Sequence, residues 1–270
     1  MDDKMLRIAP SDLLMLKNIQ TEPMATYSAE EAIHQTSEPV CPHCQGAGYY
    51  KEAVPYGHPH FGVLFPCECK LAEKEQRRIK ELEEISNLDQ FRDKTFETFS
   101  PDIPGVRRAY LRALEYAKRP QGWLVLFGNY GAGKTHLAAA IANVALRRQT
   151  RVLFTIVPDL LDHLRSTFGP TSEVEYDDRF EMIREVPLLI LDDLGTENTT
   201  PWAREKLFQI INYRYNDALP TVITSNRKPE DIDPRIFSRM SDRALCEEHI
   251  MMDAGDYRRL SIQQRYPVNG

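Results

Sequence analysis

The sequence predicts an α/β fold with a mainly parallel sheet, and three features predict it. From Gly105 onward short apolar runs alternate with amphipathic stretches of about ten to fifteen residues, the pattern of strands joined by crossover helices. Leu188–Leu191 is apolar without a break, as a strand buried on both faces requires. A glycine-rich turn follows the apolar run Trp123–Phe127 and opens an amphipathic helix, the order in which such sheets hold anionic ligands.

Taken along the chain, residues 1–38 offer two short helical patterns. Leu13, Leu14 and Leu16 follow a Ser11 cap, and Ala32 and Ile33 follow a Ser28 cap with Glu31 at the third position. Residues 41–69 are rich in Cys, Pro, Gly, His and Tyr, as in a metal-stapled loop module. Glu68–Glu84 carries eleven charges of both signs. With a thin apolar stripe of Leu71, Ile79, Leu82 and Ile85 and a Glu73–Arg77 pair at four-residue spacing, it reads as a solvated connecting helix. Leu88–Pro104 leads into the next domain, with Phe91, Phe96 and Phe99 available for packing. Helices are expected near Val106–Lys118, Lys134–Arg148, Pro158–Arg165, Tyr176–Arg184 and Pro201–Tyr215. Strands are expected at Trp123–Phe127, Val152–Ile156, Leu188–Leu191 and Thr221–Thr224. The expected domains are 1–70, a partner-binding region with the cysteine module; 71–104, the charged helix and lead-in segment; and 105–270, the α/β domain.

A chain of 270 residues buries a sizeable core as one large domain, or as one domain plus a small appendage. Its net charge of −6 supplies no global basic field, so any nucleic-acid contact must be local. No apolar stretch approaches the roughly 18 residues that span a bilayer, and Met1–Pro10 lacks a signal-peptide core. A cytoplasmic location is expected, and its reduced thiols argue against disulfides. Cys246 stands alone and reads as a small buried apolar side chain.

The turn Gly128-Asn129-Tyr130-Gly131-Ala132-Gly133-Lys134-Thr135 fits G-x-x-x-x-G-K-[ST] at every fixed position, and His136 follows it. Glycines let successive backbone N–H groups turn inward around phosphates, and the helix N-terminus adds partial positive charge. Lys134 would place a cation on the β- and γ-phosphates, and the Thr135 hydroxyl would ligate magnesium. These residues predict a nucleoside triphosphate site, for ATP with Mg²⁺. Leu188–Leu191 ends in Asp192 and Asp193. Asp192 would hold the magnesium, directly or through water, and Asp193 would orient or deprotonate the attacking water. The strand ending Thr224-Ser225-Asn226 places Asn226 at the carboxyl edge of the sheet, to position that water or sense the γ-phosphate.

Cys41-Pro42-His43-Cys44 and Cys67-Glu68-Cys69, 22 residues apart, suit a closed tetrahedral zinc site of four thiolates. A two-residue step along a strand would put Cys67 and Cys69 on one face. His58 or His60 could replace one thiol, while His43 lies inside the knuckle. The rival is a redox dithiol, but Gln45-Gly46-Ala47-Gly48 after Cys44 is a poor helix start.

The phrases Gly-Lys-Thr-His-Leu-Ala at 133–138, Leu-Leu-Ile-Leu-Asp-Asp-Leu-Gly at 188–195 and Ile-Thr-Ser-Asn at 223–226 resemble the bacterial replicative-helicase loaders of the DnaC/DnaI type. Transposition helper ATPases of the IstB type share much of this wording. The resemblance covers roughly residues 88–262 and implies a P-loop NTPase core of the AAA+ class, with helices on both faces of the sheet. It implies ATP hydrolysis, self-association when ATP is bound, single-stranded DNA and a hexameric replicative helicase as partners. The IstB-type alternative implies duplex DNA and a transposase. Arg239 matches the family's arginine finger, ahead of Arg235, and Arg258 its second sensing arginine. Arg107, Arg108, Arg147, Arg148 and Arg151 are the basic residues available to DNA. Two departures stand out: Asp193 replaces the longer Glu of many relatives, and the chain ends soon after Arg258, with little room for a helical lid. A small cysteine module ahead of the ATPase core is familiar in DnaI-like loaders, where the N-terminal region docks on the helicase, and is generally lacking in the transposition helpers.

Overall fold

The computed structural model describes residues 41–166, 173–196 and 200–259; the two short helical patterns expected before residue 39 lie outside them. The chain divides into two compact units, with the boundary between Lys70 and Leu71.

In the first unit a two-residue antiparallel pair, β1 (Tyr49–Tyr50) and β2 (Phe65–Pro66), closes the loop that joins the two cysteine pairs. Helix α1 (Glu68–Ile85) starts immediately afterwards. Cys69 therefore stands in the first turn of a helix and not on a strand beside Cys67. The Cys67 N–H still donates across to Gly48 O at 2.9 Å, and the Lys70 N–H then returns to the Cys67 carbonyl at 2.9 Å, which turns the chain. Of the expected apolar stripe only Leu82 and Ile85 are buried, whereas Leu71 and Ile79 remain exposed. Arg77 pairs with Glu81 at 2.9 Å on the solvated face.

The second unit is built on five parallel strands in the order β4-β5-β6-β3-β7: β3 (Trp123–Gly128), β4 (Val152–Ile156), β5 (Leu188–Asp192), β6 (Thr221–Ser225) and β7 (His249–Met252). The alternation of side chains sorts the strands' apolar residues onto two faces. Trp123, Val125, Phe127, Leu189, Leu191 and Ile223 share one core with α4 (Val157–Ser166), α5 (Glu173–Glu185), α6 (Pro201–Asn216) and α7 (Pro234–Met240). Leu124, Leu126, Leu188, Ile190, Val222 and Ile250 share the other with α2 (Arg107–Lys118) and α3 (Lys134–Arg147). Helix α2 turns Ala109, Ala113 and Ala117 to this core, a four-residue spacing of small side chains that lets it approach α3 closely. The resulting doubly covered parallel sheet is the expected fold class.

Arg214 of α6 is fully buried, with no carboxylate partner among the described residues. Its guanidinium donates to Thr221 Oγ1 and to the carbonyls of Arg184, Val186 and Pro220, joining the end of α5 to the start of β6. Burial lowers its pKa to about 9, and five fixed donors suit a site that must satisfy several carbonyls at once. Two short elements have no counterpart in the apolar pattern. Helix α7 is capped by Asp233, whose carboxylate accepts from the Arg235 N–H, with Pro at the first turn. Strand β7 has only four residues, with Ile250 and Met252 buried and Met251 exposed.

Candidate functional site

Strand β3 and helix α3 are joined by the glycine turn at the carboxyl edge of the sheet. Gly133 caps α3 in the left-handed region at φ 96°, and a Cβ there would come within 2.8 Å of the Phe99 ring. The helix ladder opens with the Leu137 N–H donating to Gly133 O at 3.1 Å. The N–H groups of Lys134, Thr135 and His136 precede it, at the positive end of the helix dipole. Lys134 is buried, and its ammonium donates to Gly128 O at 2.8 Å and Asn129 O at 2.9 Å. Burial holds its pKa below the ordinary value, and the carboxylates of Asp193 and Asp192 oppose that shift. Ala132 is buried under the turn, while Asn129 and Tyr130 are exposed at its tip.

The sheet order places β6 between the strand that feeds this turn and β5, which carries the acids. Asp192 is 3% exposed and accepts two hydroxyl hydrogen bonds, from Thr135 Oγ1 at 2.9 Å and from Thr224 Oγ1 at 2.6 Å. Burial pushes its pKa above the usual carboxylate range, against the pull of those two hydroxyls. The carboxylate and the Thr135 hydroxyl are thus already in one place, as a shared divalent cation requires. Asp193 takes the left-handed conformation at φ 61°, and its N–H donates to Thr224 Oγ1 at 3.0 Å. Asn226 Nδ2 donates to Asp193 Oδ1 at 2.7 Å. The Asn226 Oδ1 is buried with no hydrogen-bond partner among the described residues, an acceptor open to a water or a ligand group. Thr224 braces both acids, a role not read from the sequence; its place at a strand end beside the Asp-Asp pair was the available signal.

The lead-in segment, not the sheet, forms the other wall. A cavity of about 530 Å³ beside the turn is lined by Phe91, Lys94, Phe99, Ile103 and Val106, among others, and by Arg258. Asn143 of α3 holds this segment by donating to Phe91 O at 3.1 Å and Lys94 O at 2.8 Å. His136 turns its ring away from the sheet, with Nε2 2.8 Å from Thr95 O and the ring edge-on to Phe99. Among its groups it is the backbone N–H, not the imidazole, that belongs to the helix N-terminus facing the turn.

Arg258 lines the same cavity, close enough that its charge adds to the lowering of the Lys134 pKa. Arg239 does not meet the turn in this chain. Its guanidinium donates to Asn212 Oδ1 at 2.9 and 2.6 Å and to Arg235 O at 2.8 Å, and it stacks over Phe208 and Tyr215. Four of the five arginines expected to serve DNA make contacts within the chain. Arg107 pairs with Asp102, Arg108 with Glu248 and Arg151 with Glu75, while Arg148 donates to the carbonyls of Ala117 and Lys118 and so caps α2.

In the first unit the sulfurs of Cys41, Cys44, Cys67 and Cys69 all lie within 4.8 Å of one another. Cys41 and Cys67 are 3.8 Å apart, and Cys44 and Cys69 3.4 Å. Four thiolates about 2.3 Å from a tetrahedral ion stand about 3.8 Å apart, and the separations of the set are close to that value. Hydrogen bonding with Cys69 lowers the Cys44 thiol to about 7, and the same contact raises Cys69 to about 12. The Gly48 N–H also donates to Cys44 Sγ, as metal-binding knuckles supply. His60 is held by Glu52 at 2.7 Å and His58 accepts from the His60 N–H, so neither imidazole is needed to complete the four.

Comparison with known proteins agrees with this geometry. The family model described as IstB-like ATP binding protein matches residues 63–265. The replicative helicase loader DnaI of Bacillus subtilis is 24% identical over 193 residues, 68% of this chain and 61% of that protein, so the chain spans about three-fifths of its length. An ATP-binding protein of insertion sequence IS5376 from Geobacillus stearothermophilus is 32% identical over 202 residues, 72% of this chain and 78% of that protein. The crystal structure of the DnaC helicase loader superposes with a TM-score of 0.50 at 25% identity, over 62% of this chain and 99% of that one. No helix among the described residues is long and apolar enough to cross a membrane. With the phosphate turn, the paired acids and the sheet order in place, this chain belongs to the IstB-like ATP-binding protein family.

Proposed function

We propose that this protein is an ATP-hydrolysing loader of a hexameric replicative DNA helicase. The single observation that carries the loader reading is the four-cysteine cluster in a compact unit ahead of the ATP-binding core. Such a module is a feature of the DnaI-like branch of the resemblance, and a DnaI of 24% identity is among the relatives. In this reading zinc holds the four thiolates and gives the first unit the shape that docks on the helicase.

The core's chemistry follows from its contacts. Lys134 exchanges the carbonyls of Gly128 and Asn129 for the β- and γ-phosphate oxygens, so its donors are already aligned. Thr135 and Asp192 would hold magnesium, which would supply charge neutralisation on the phosphates. Asp193 orients the attacking water or takes its proton, and Asn226 fixes the carboxylate for that task. Arg258 reaches the γ-phosphate within the same subunit. Arg239 leaves Asn212 to complete the site of a neighbouring subunit, so hydrolysis accelerates on assembly. Asp193 is shorter than Glu, which makes the isolated chain a slow enzyme.

A second reading, a transposition helper that binds duplex DNA and a transposase, is favoured by the 32% identity to the insertion-sequence protein. Pull-down of the full chain from its native lysate separates the two. Recovery of a hexameric helicase, with single-stranded DNA preferred over duplex, supports the loader; recovery of a transposase without helicase contradicts it.

A further inference from the structure

Strand β7 delivers the chain that follows it directly to the phosphate turn. Its last residue, Met252, lies opposite Gly128 in the parallel register with β3. Four residues later Asp256 packs against Gly131, so closely that a Cβ on that glycine would fall 1.8 Å from Asp256 Oδ1. Gly131 sits at φ 73°, a conformation that also favours glycine, so this turn residue is shaped by Asp256 as well as by its own backbone.

Two hydrogen bonds make the contact specific. The Tyr257 N–H donates to Gly131 O at 3.1 Å, and Asp256 Oδ1 accepts the N–H of Arg258 at 3.0 Å. The second is a side-chain cap on the single 3-10 turn Tyr257–Arg259. Asp256 therefore fixes the backbone of Arg258 and binds that backbone to the phosphate turn. Its ion pair with Arg259 spans 3.5 Å with Arg259 largely exposed, and contributes little.

We infer that Asp256 is a positioning residue: through its cap on the Tyr257–Arg259 turn and its packing on Gly131, it aims Arg258 at the γ-phosphate and so sets the preference for nucleoside triphosphate over diphosphate. This rests on the reading of Arg258 as a γ-phosphate contact. The carboxylate itself touches no phosphate. Its Oδ1 is occupied by the Arg258 N–H.

The test is a double-mutant cycle on the full chain, measuring the dissociation constants of MgATP and MgADP at equilibrium. Arg258→Ala is expected to lower the ADP-to-ATP ratio of these constants by roughly tenfold, the worth of about one charge-assisted contact. Asp256→Ala should lower it by a comparable factor, and the double variant should be no worse than Arg258→Ala alone. Asp256→Asn should keep the wild-type ratio, because its Oδ1 still caps the Arg258 N–H, and it serves where the alanine variant fails to fold. An unchanged ratio in Asp256→Ala while Arg258→Ala loses it overturns the inference, as does a double variant that loses the product of the two factors or an asparagine variant as poor as the alanine. An unchanged ratio in Arg258→Ala overturns the reading of Arg258 itself, and the inference with it.

Discussion

At the scale of single residues the site is a set of side chains that hold one another before any ligand arrives. Thr224 serves both acids, one as donor and one as acceptor, and Asn226 fixes the second. The identities of Gly128, Gly133, Lys134, Thr135, Asp192 and Asp193 were legible in the sequence because phosphate chemistry restricts them to few residue types at fixed spacing. Thr224 and Asp256 were not, since a threonine at a strand end and an aspartate before a turn are ordinary until the sheet order brings them to the acids and to Gly131. His136 shows the same limit. It follows the phosphate motif, yet its ring serves the lead-in segment, where burial lowers its pKa below 6.5, opposed by the Thr95 carbonyl, with Lys94 and Asp93 facing it with opposite effects. A depressed folded-state pKa means that its contribution to stability is complete above the ordinary value and is lost as pH falls below it. The melting temperature should therefore drop on acidification from about pH 7.5 to about pH 5.5, and drop less in His136→Gln. An identical acid response in the two proteins would contradict the buried neutral role.

At the scale of elements, length decided what was legible. The four strands expected from apolar runs all form, because β3, β4, β5 and β6 are covered on both faces and most of their residues that face a core are apolar. Strand β7 escaped notice because it is a four-residue edge strand whose pattern, with Met251 outward, is too short to rise above chance. Its place matters, for it carries the chain to the phosphate turn. The cysteine module was legible in its spacing but not in its geometry: Cys69 begins α1, so the last sulfur is offered by a helical turn. A module this small would depend on the metal proposed for it. Elemental analysis of purified protein should give about one zinc ion per chain. Chelation should then open residues 41–69 to protease while nucleotide binding persists. Protein that carries no metal, with the four thiols intact, would favour the redox dithiol instead.

At the scale of the whole molecule, the fold was legible because one strand-turn-helix unit fixes the edge of the sheet at which everything else must converge. The sheet order then brings Asp192, Asp193 and Asn226 to the turn from strands distant in sequence. Surface electrostatics were less legible. Of the arginines that the sequence offers to DNA, Arg107, Arg108 and Arg151 face Asp102, Glu248 and Glu75 in surface ion pairs, and Arg148 donates to the carbonyls at the end of α2. Arg239 on α7 is bound to Asn212, and its proposed role toward a neighbouring subunit would require it to leave that contact. All of these roles presuppose that the Gly128–Thr135 turn holds a triphosphate. Calorimetric titration of MgATP into the wild-type chain and into Lys134→Ala tests that most directly. Saturable one-to-one binding is expected, weakened by about a hundredfold in Lys134→Ala, the loss of a charge-assisted contact to two phosphates. Equal affinity in the two proteins would contradict it.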